Sequence, residues 1–233
     1  MLLFILLSLC IFSVFAIKDE PVNAYNYLVD LVNIKNDKIS ISLTPPKTTQ
    51  GEVIFRLPAF VPGTYEVYNF GRFVTNFKAV DRNGNNVPIE KADQNSWKFS
   101  DLNNVSKITY DVDDTWDSDI KEGFVFEPGG SNIEAGKSIV LNNHCFFGYF
   151  DGYKKIPFKI DVIKPKGFYG STALVAVNNS PERESFLVTD YVELVDSPMM
   201  FCVPDTTFLT VGNAKVLVSV YSEKYKNSSN LRV

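Results

Sequence analysis

Apolar and polar residues alternate with period two along most of the chain. Tyr25, Tyr27, Val29 and Leu31 share one face of a run; Ile39, Ile41 and Leu43 and then Val53, Phe55 and Leu57 repeat the spacing, each run bounded by Pro, Gly, Asn or Thr clusters. In a strand every second side chain faces the same way, so this spacing predicts half-buried strands. The pattern resumes at Phe73, Thr75, Phe77 and Ala79, turns at Asp81-Arg82-Asn83-Gly84, and continues through Trp97 and Phe99 and through Ile108, Tyr110 and Val112. Residues 124–126, 139–141, 158–163, 174–177, 208–211 and 216–221 have strand composition as well. No long helical period competes with them. About a dozen short strands, with turn signals roughly every 8–12 residues, predict an all-β fold, an antiparallel two-sheet sandwich or saddle, and not a βαβ architecture. The stretch from Thr115 to Gly136 has little period and several glycines, which predicts a long loop.

The first 16 residues stand outside this pattern. Met1 to Ala16 form an uncharged apolar run followed at once by Lys18, Asp19 and Glu20, shorter than the roughly 20 residues of a spanning helix. The run reads as a signal peptide cleaved after Ala16, where Val14 and Ala16 supply the small-residue pattern, and it predicts a secreted or periplasmic protein. An uncleaved membrane anchor is the alternative reading. Lipidation at Cys10 is disfavoured by Leu9, which stands where a small residue should precede the lipidated cysteine. The domain organisation is therefore a signal segment (1–16), one β domain (17–222) and the start of a linker (223–233), where the apolar alternation stops.

The 233 residues carry 23 Lys plus Arg against 27 Asp plus Glu, a net charge of -4. With no basic face, nucleic acid is excluded as a partner, and contact with a membrane falls to the signal segment alone. Export gives the cysteines meaning. Cys145 and Cys202 remain after cleavage, and two readings stay open: a disulfide closing a loop of about 57 residues, or two buried free thiols. Asn104-Val105-Ser106 and Asn227-Ser228-Ser229 are glycosylation sequons.

The single histidine, His144, rules out HExxH and any two-histidine metal site. Read as a strand residue, it points away from its neighbour Cys145, so a Cys-His pair is disfavoured too. The acidic stretch from Asp111 to Glu122 has oxygens at calcium-loop spacing, but Trp116 occupies the position where an EF-hand needs glycine. No metal ligand and no catalytic residue are assigned. Trp116, Tyr149, Tyr153 and Tyr169 lie in or beside turns, where aromatic side chains can stack on ligands.

One string is more specific. In Leu57-Pro58-Ala59-Phe60-Val61-Pro62-Gly63-Thr64-Tyr65, followed by Phe70-Gly71-Arg72, two prolines four apart remove ladder donors and Gly63 permits a tight turn, which makes a rigid corner between strands. This string resembles the LP-x-W-x-PG-x-Y signature of the N-terminal β domain of the glycyl aminopeptidase family, zinc metallopeptidases of the thermolysin-like, gluzincin type; Phe60 stands in place of the usual Trp. Further segments resemble the same domain in order: Phe77 to Asp81, Lys91-Ala92-Asp93 to Trp97, Ile108 to Val112, Leu141-Asn142-Asn143 through Gly152, Pro157 to Pro165, and Tyr191 to Pro198 with Asp196-Ser197-Pro198.

The resemblance covers most of residues 22–222 and implies a domain that packs against a zinc-bearing HExxH catalytic domain, in cis or in trans, and borders the cleft for a peptide substrate. It implies zinc in that other domain and none in this chain. Pro58, Phe60, Pro62, Gly63, Tyr65, Arg72, Asp93 and Trp97 are then signature positions with structural roles, and Asp196 and Ser197 are candidates for a substrate-facing pair. A stand-alone secreted module that binds peptides or glycans through its turn aromatics is the rival expectation. The rivals differ in surface: a domain built to dock should expose a contiguous apolar face, and a stand-alone module should be polar outside its site.

Overall fold

The computed structural model describes residues 23–49, 51–118 and 123–222. The expected signal segment, Cys10, the linker and the Asn227 sequon lie outside them. In chain order the strands are β1 (Tyr25–Lys35), β2 (Lys38–Thr44), β3 (Val53–Arg56), β4 (Val74–Val80), β5 (Glu90–Asp93), β6 (Ser96–Phe99), β7 (Lys107–Asp113), β8 (Asn132–Glu134) and β9 (Ser138–Leu141). They continue as β10 (Tyr149–Phe150), β11 (Phe158–Ile163), β12 (Tyr169–Ser171), β13 (Ala176–Ser180), β14 (Arg183–Val188), β15 (Met199–Cys202), β16 (Asp205–Val211) and β17 (Ala214–Val220). Two short helices, α1 (Asn143–Phe146) and α2 (Tyr191–Val195), interrupt them.

The main sheet has seven strands in the order β13-β14-β11-β1-β2-β7-β4. Two four-stranded sheets, β10-β3-β6-β5 and β12-β15-β9-β8, are built beside it, and β16 and β17 form a separate hairpin. The all-β expectation holds, with one departure: β1 pairs with β11 in parallel, Tyr25 opposite Phe158, while the other pairs in this sheet are antiparallel. The alternation read from sequence is the burial pattern of β2, where Ile39, Ile41 and Leu43 are buried, and of β7, where Ile108, Tyr110 and Val112 are.

Aromatic side chains join the layers. Phe77 of β4 stacks on Trp97 of β6 at 4.4 Å and on Tyr110 of β7 at 5.5 Å, and Phe55 of β3 meets Tyr110 at 6.1 Å. Burying such rings supplies most of the driving force for closing the layers. A buried ion pair ties two sheets on the other side. Lys164 lies 3.3 Å from Glu184 of β14, whose carboxylate also accepts the Gly170 N–H of β12, so neither charge is left unpaired.

Between these layers the chain passes from the end of α1 at Phe146 to β10, irregular and buried at Phe147 and Gly148, so that the carbonyls of 146–148 have no ladder to bond to. Tyrosines replace the ladder. Tyr110 donates to the Phe146 carbonyl at 2.6 Å, Tyr191 to that of Phe147 at 2.9 Å and Tyr27 to that of Gly148 at 2.8 Å, while the Tyr25 oxygen accepts the Phe150 N–H at 2.8 Å. Burial holds all four hydroxyls far above the usual phenol range, so they remain protonated. Gly148 is required here, because a Cβ would come within 2.3 Å of the Phe55 ring and 2.5 Å of the Arg56 carbonyl.

Of the two readings left open for the cysteines the structure has the second: Cys145 on α1 and Cys202 at the end of β15, opposite Ser138 and Tyr169, are separate buried thiols. Burial pushes the two thiols up to about 12 and about 11, which makes them poor nucleophiles. Other expectations are corrected. His144 and Cys145 lie on a helical turn and not on a strand. Residues 124–126 form no strand, and the 115–136 stretch contains β8. Tyr191 to Val195 is helical because Asp190 caps the Val192 and Glu193 N–H groups while the Glu193 carboxylate reaches back to Thr189.

Replacing Tyr110 by Phe should keep the packing and leave the buried Phe146 carbonyl without its donor. A loss of about 1–3 kcal/mol is expected in urea unfolding; an unchanged midpoint would show that this carbonyl is satisfied in another way.

Candidate docking face and adjoining cavity

The Leu57 to Arg72 segment leaves β3 and closes on itself. The Ala59 carbonyl accepts the N–H groups of Tyr68 and Asn69 at 3.0 and 2.9 Å, and the Pro58 carbonyl accepts that of Phe70 at 3.2 Å. Its tip is a turn in which the Thr64 N–H and hydroxyl both reach the Val61 carbonyl, with Gly63 at φ 94°. Tyr65 and Asn69 also adopt left-handed backbone, at φ 58° and 54°, so the loop is held in a shape that such residues rarely take.

What holds it is the turn of the Lys91 to Trp97 stretch. Asn95 accepts the Gly71 N–H at 3.0 Å through its side-chain oxygen, donates to the Asn69 side chain at 2.9 Å, and accepts the Leu57 N–H at 2.9 Å through its backbone carbonyl. Gly71 passes so close that a Cβ would meet the Gln94 carbonyl at 2.4 Å. Asp93 in turn accepts the Asn95 N–H at 2.7 Å and lies 3.7 Å from Arg56. Trp97 is buried under Lys91, whose ammonium lies 3.2 Å from the indole centroid; partial burial lowers that ammonium to about 8.

The Asn142-Asn143-His144 stretch serves a second loop. Asn142 donates to the Pro128 carbonyl at 3.1 Å and to that of Gly130, and the His144 ring bonds the Gly129 carbonyl at 2.9 Å while standing edge-on to Phe70 at 4.6 Å. Burial lowers the His144 pKa, so the ring is neutral at neutral pH. Asn143 donates to the Leu194 and Ser197 carbonyls at 2.8 and 2.6 Å, which joins α1 to the end of α2. The motifs that looked separate in sequence are therefore joined in two hydrogen-bonded groups, 57–72 with 91–97 and 142–144 with 128–130 and 194–197, which touch where His144 meets Phe70.

The two loops meet. Arg72 donates to the Gly123 carbonyl at 2.6 Å, and the space over Gly129 is occupied by the Thr64 methyl, 3.0 Å from where a Cβ would stand. Together they present Phe60, Tyr65, Val67, Phe124 and Phe126 to solvent, Tyr65 at 94% exposure and Phe124 at 69%. Trp116 borders this face and is fixed by a bond from its indole N–H to the Glu127 carbonyl at 2.9 Å. The first three acids of the acidic stretch are engaged internally: Asp111 binds Ser40 and Asn76, Asp113 pairs with Lys38 at 3.0 Å, and Asp114 accepts the N–H groups of Trp116, Asp117 and Ile133. Among the described residues no group of three or more His, Cys, Asp or Glu is placed to hold a metal.

Beside this face opens a cavity of about 680 Å³, walled by Leu57, Pro58 and Phe60 on one side and by Tyr149, Tyr191 and Val195 on the other. The proposed pair separates here. Asp196 is exposed and lines the cavity, whereas Ser197 is buried and bonded through its backbone. The turn aromatics do not gather into one platform: Tyr149 lines this cavity, Tyr153 bonds the Thr49 N–H at 2.9 Å, Trp116 lies by the exposed aromatic face and Tyr169 is on β12. Sequence reading missed Asn69, Asn95 and Lys154; for Asn95 the signal available was its place in the turn before Trp97.

Residues 26–203 match the family described as Peptidase M61 N-terminal domain. The chain belongs to this family. The match agrees with the resemblance carried by the Leu57–Arg72, Lys91–Trp97 and Tyr191–Pro198 strings. Among solved structures, an aminopeptidase N family protein of Idiomarina loihiensis shares the fold of this M61 N-terminal domain at a TM-score of 0.74 and 16% identity, over 89% of this chain and 34% of that one. The chain thus spans about a third of that protein's length. An M1 zinc metallopeptidase of Deinococcus radiodurans is more distant, with a TM-score of 0.45 and 12% identity for a mutant bound to a Tyr-Ser-Ala substrate, over 84% of this chain and 46% of that one. No curated protein matches the chain.

Burial pushes the Asp114 carboxyl up to about 6 against the pull of the Asp117 and Ile133 N–H groups, and the Asp117 carboxylate adds to the rise. A raised carboxyl stabilises the fold in acid and loses that contribution as pH climbs from the unfolded value near 4 through about 6. Relative to Asp114→Asn, the native protein should lose about 2–3 kcal/mol over that window. Urea unfolding at several pH values checks this, and a difference that does not move with pH would contradict it.

Proposed function

We propose that this chain is the non-catalytic N-terminal domain of an exported, zinc-dependent aminopeptidase, and that it docks the HExxH catalytic domain and walls one side of its substrate cleft. The observation that carries the proposal is the aromatic face formed by the 58–67 and 123–129 loops. Large exposed side chains normally scatter, and a clustered set on a rigid frame is what a partner surface requires. The frame is rigid because the loops are pinned by Asn95, Asn142 and His144, so little ordering cost remains to be met on association.

Zinc and the reacting groups belong in this reading to the other domain. The donor set here does not fit a zinc site: His144 is tied to a carbonyl and packed on Phe70, and both cysteines are buried on separate elements. What this chain contributes is shape, with Asp196 as an exposed acidic group lining the adjoining cavity. The apolar segment Met1–Ala16 supports export to a secreted or periplasmic location. Turn aromatics dispersed over separate regions give the rival reading, a stand-alone module that binds peptides or glycans through them, no shared platform.

The test supplies an M61 catalytic domain in trans and measures binding by calorimetry. Saturable binding is expected, weakened by at least about tenfold in the double variant Phe124→Ser/Phe126→Ser, whose exposed positions leave the fold intact. Absence of binding, or equal binding by that variant, would contradict the proposal.

A further inference from the structure

The cavity beside the docking face has features that docking does not use. Its volume of about 680 Å³ lies within the range of small-ligand sites, and its walls are apolar and already formed. Tyr191 is locked by its bond to the Phe147 carbonyl, and the Pro58 side is fixed by the closed loop. Four charged residues line it: Arg56, Asp93, Lys154 and Asp196. Two are already engaged, since Arg56 donates to both oxygens of Asp151 at 2.8 and 2.9 Å and lies 3.7 Å from Asp93.

The other two have no charged partner among the described residues. The Lys154 ammonium sits over the Tyr149 ring at 4.1 Å and faces that of Tyr191 at 5.8 Å, and no ion pair joins it to a carboxylate among the described residues. Asp196 is exposed and has no cation within ion-pair distance among them either. A cation and an anion thus line one apolar cavity without neutralising each other. A ligand that carries both charges, with an apolar group between them, gains from each and from the walls. A sugar is a poorer match, because Lys154 already covers the ring faces on which it would stack.

We propose that this cavity binds a short zwitterionic peptide with an apolar side chain, its carboxylate received by Lys154 and its ammonium by Asp196. The site rests on the reading of the chain as a peptide-handling domain and names the ligand that such a domain takes on its own.

The probe is the dipeptide Ala-Leu, titrated into the whole chain and followed by amide NMR, beside its C-terminal amide and its N-acetyl form. Saturable shifts are expected at residues 57–62, 149–154 and 191–196. Amidation should weaken binding about tenfold in the native chain and leave it nearly unchanged in Lys154→Met; acetylation should behave in the same way with Asp196→Asn. Both side chains are exposed, so these variants should fold. No saturable binding at tens of millimolar, shifts confined to other regions, or indifference to amidation and acetylation would overturn the inference. Retained binding to a catalytic domain beside such a failure would remove this site and leave the docking proposal standing; peptide binding without docking would do the reverse.

Discussion

Chain that leaves a helix or a ladder cannot be buried unless its backbone polar groups find partners, and that constraint organises this protein. Between α1 and β10 the carbonyls of Phe146, Phe147 and Gly148 and the Phe150 N–H end on Tyr110, Tyr191, Tyr27 and Tyr25. An unpaired buried carbonyl costs about 1–3 kcal/mol, so without the four hydroxyls the segment would be expelled toward water. The tyrosines come from β1, β7 and α2, which makes one strip of backbone the common attachment of the main sheet and the second helix. The docking frame depends on it as well, since α1, at the start of this strip, carries the Asn143 and His144 side chains that hold α2 and the 128–131 loop.

The frame illustrates how local strain is maintained by distant residues. Tyr65 and Asn69 hold positive φ, and Gly71 approaches the neighbouring chain too closely for any side chain. None of this is stable as a free loop. Asn95 closes it from a different hairpin, and Arg72 fastens it to the 123 loop. The result is a rigid aromatic surface beside a preformed cavity.

How far the sequence reveals this depends on the range of each interaction. Period two marks β2 and β7 plainly because one face of each is buried along its whole length. It cannot show that β1 lies parallel to β11, since the pairing of remote strands leaves no local mark. Tyr191 to Val195 is rich in residues that favour strands, and the signal that decides for helix is Asp190 with Glu193, a cap that outweighs short-range β composition. The choice between a disulfide and two free thiols stayed open in the sequence because two cysteines in one compartment say nothing of the elements that carry them. In the candidate site the strings around Pro58, Asp93 and Asp196 were legible, but their meeting was not. Asn95 and Lys154 went unread because an asparagine in a turn and a lysine in a loop are ordinary until their neighbours are known.

The central claim is that the 58–73 and 123–130 loops form the surface on which the zinc-bearing domain sits. Hydrogen exchange of this chain, alone and with an M61 catalytic domain added, maps that surface directly. New protection is expected in those two loops and none on β13 and β14 at the far edge of the main sheet. Protection confined to that edge, or an exchange pattern that the added domain leaves unchanged, would contradict the claim.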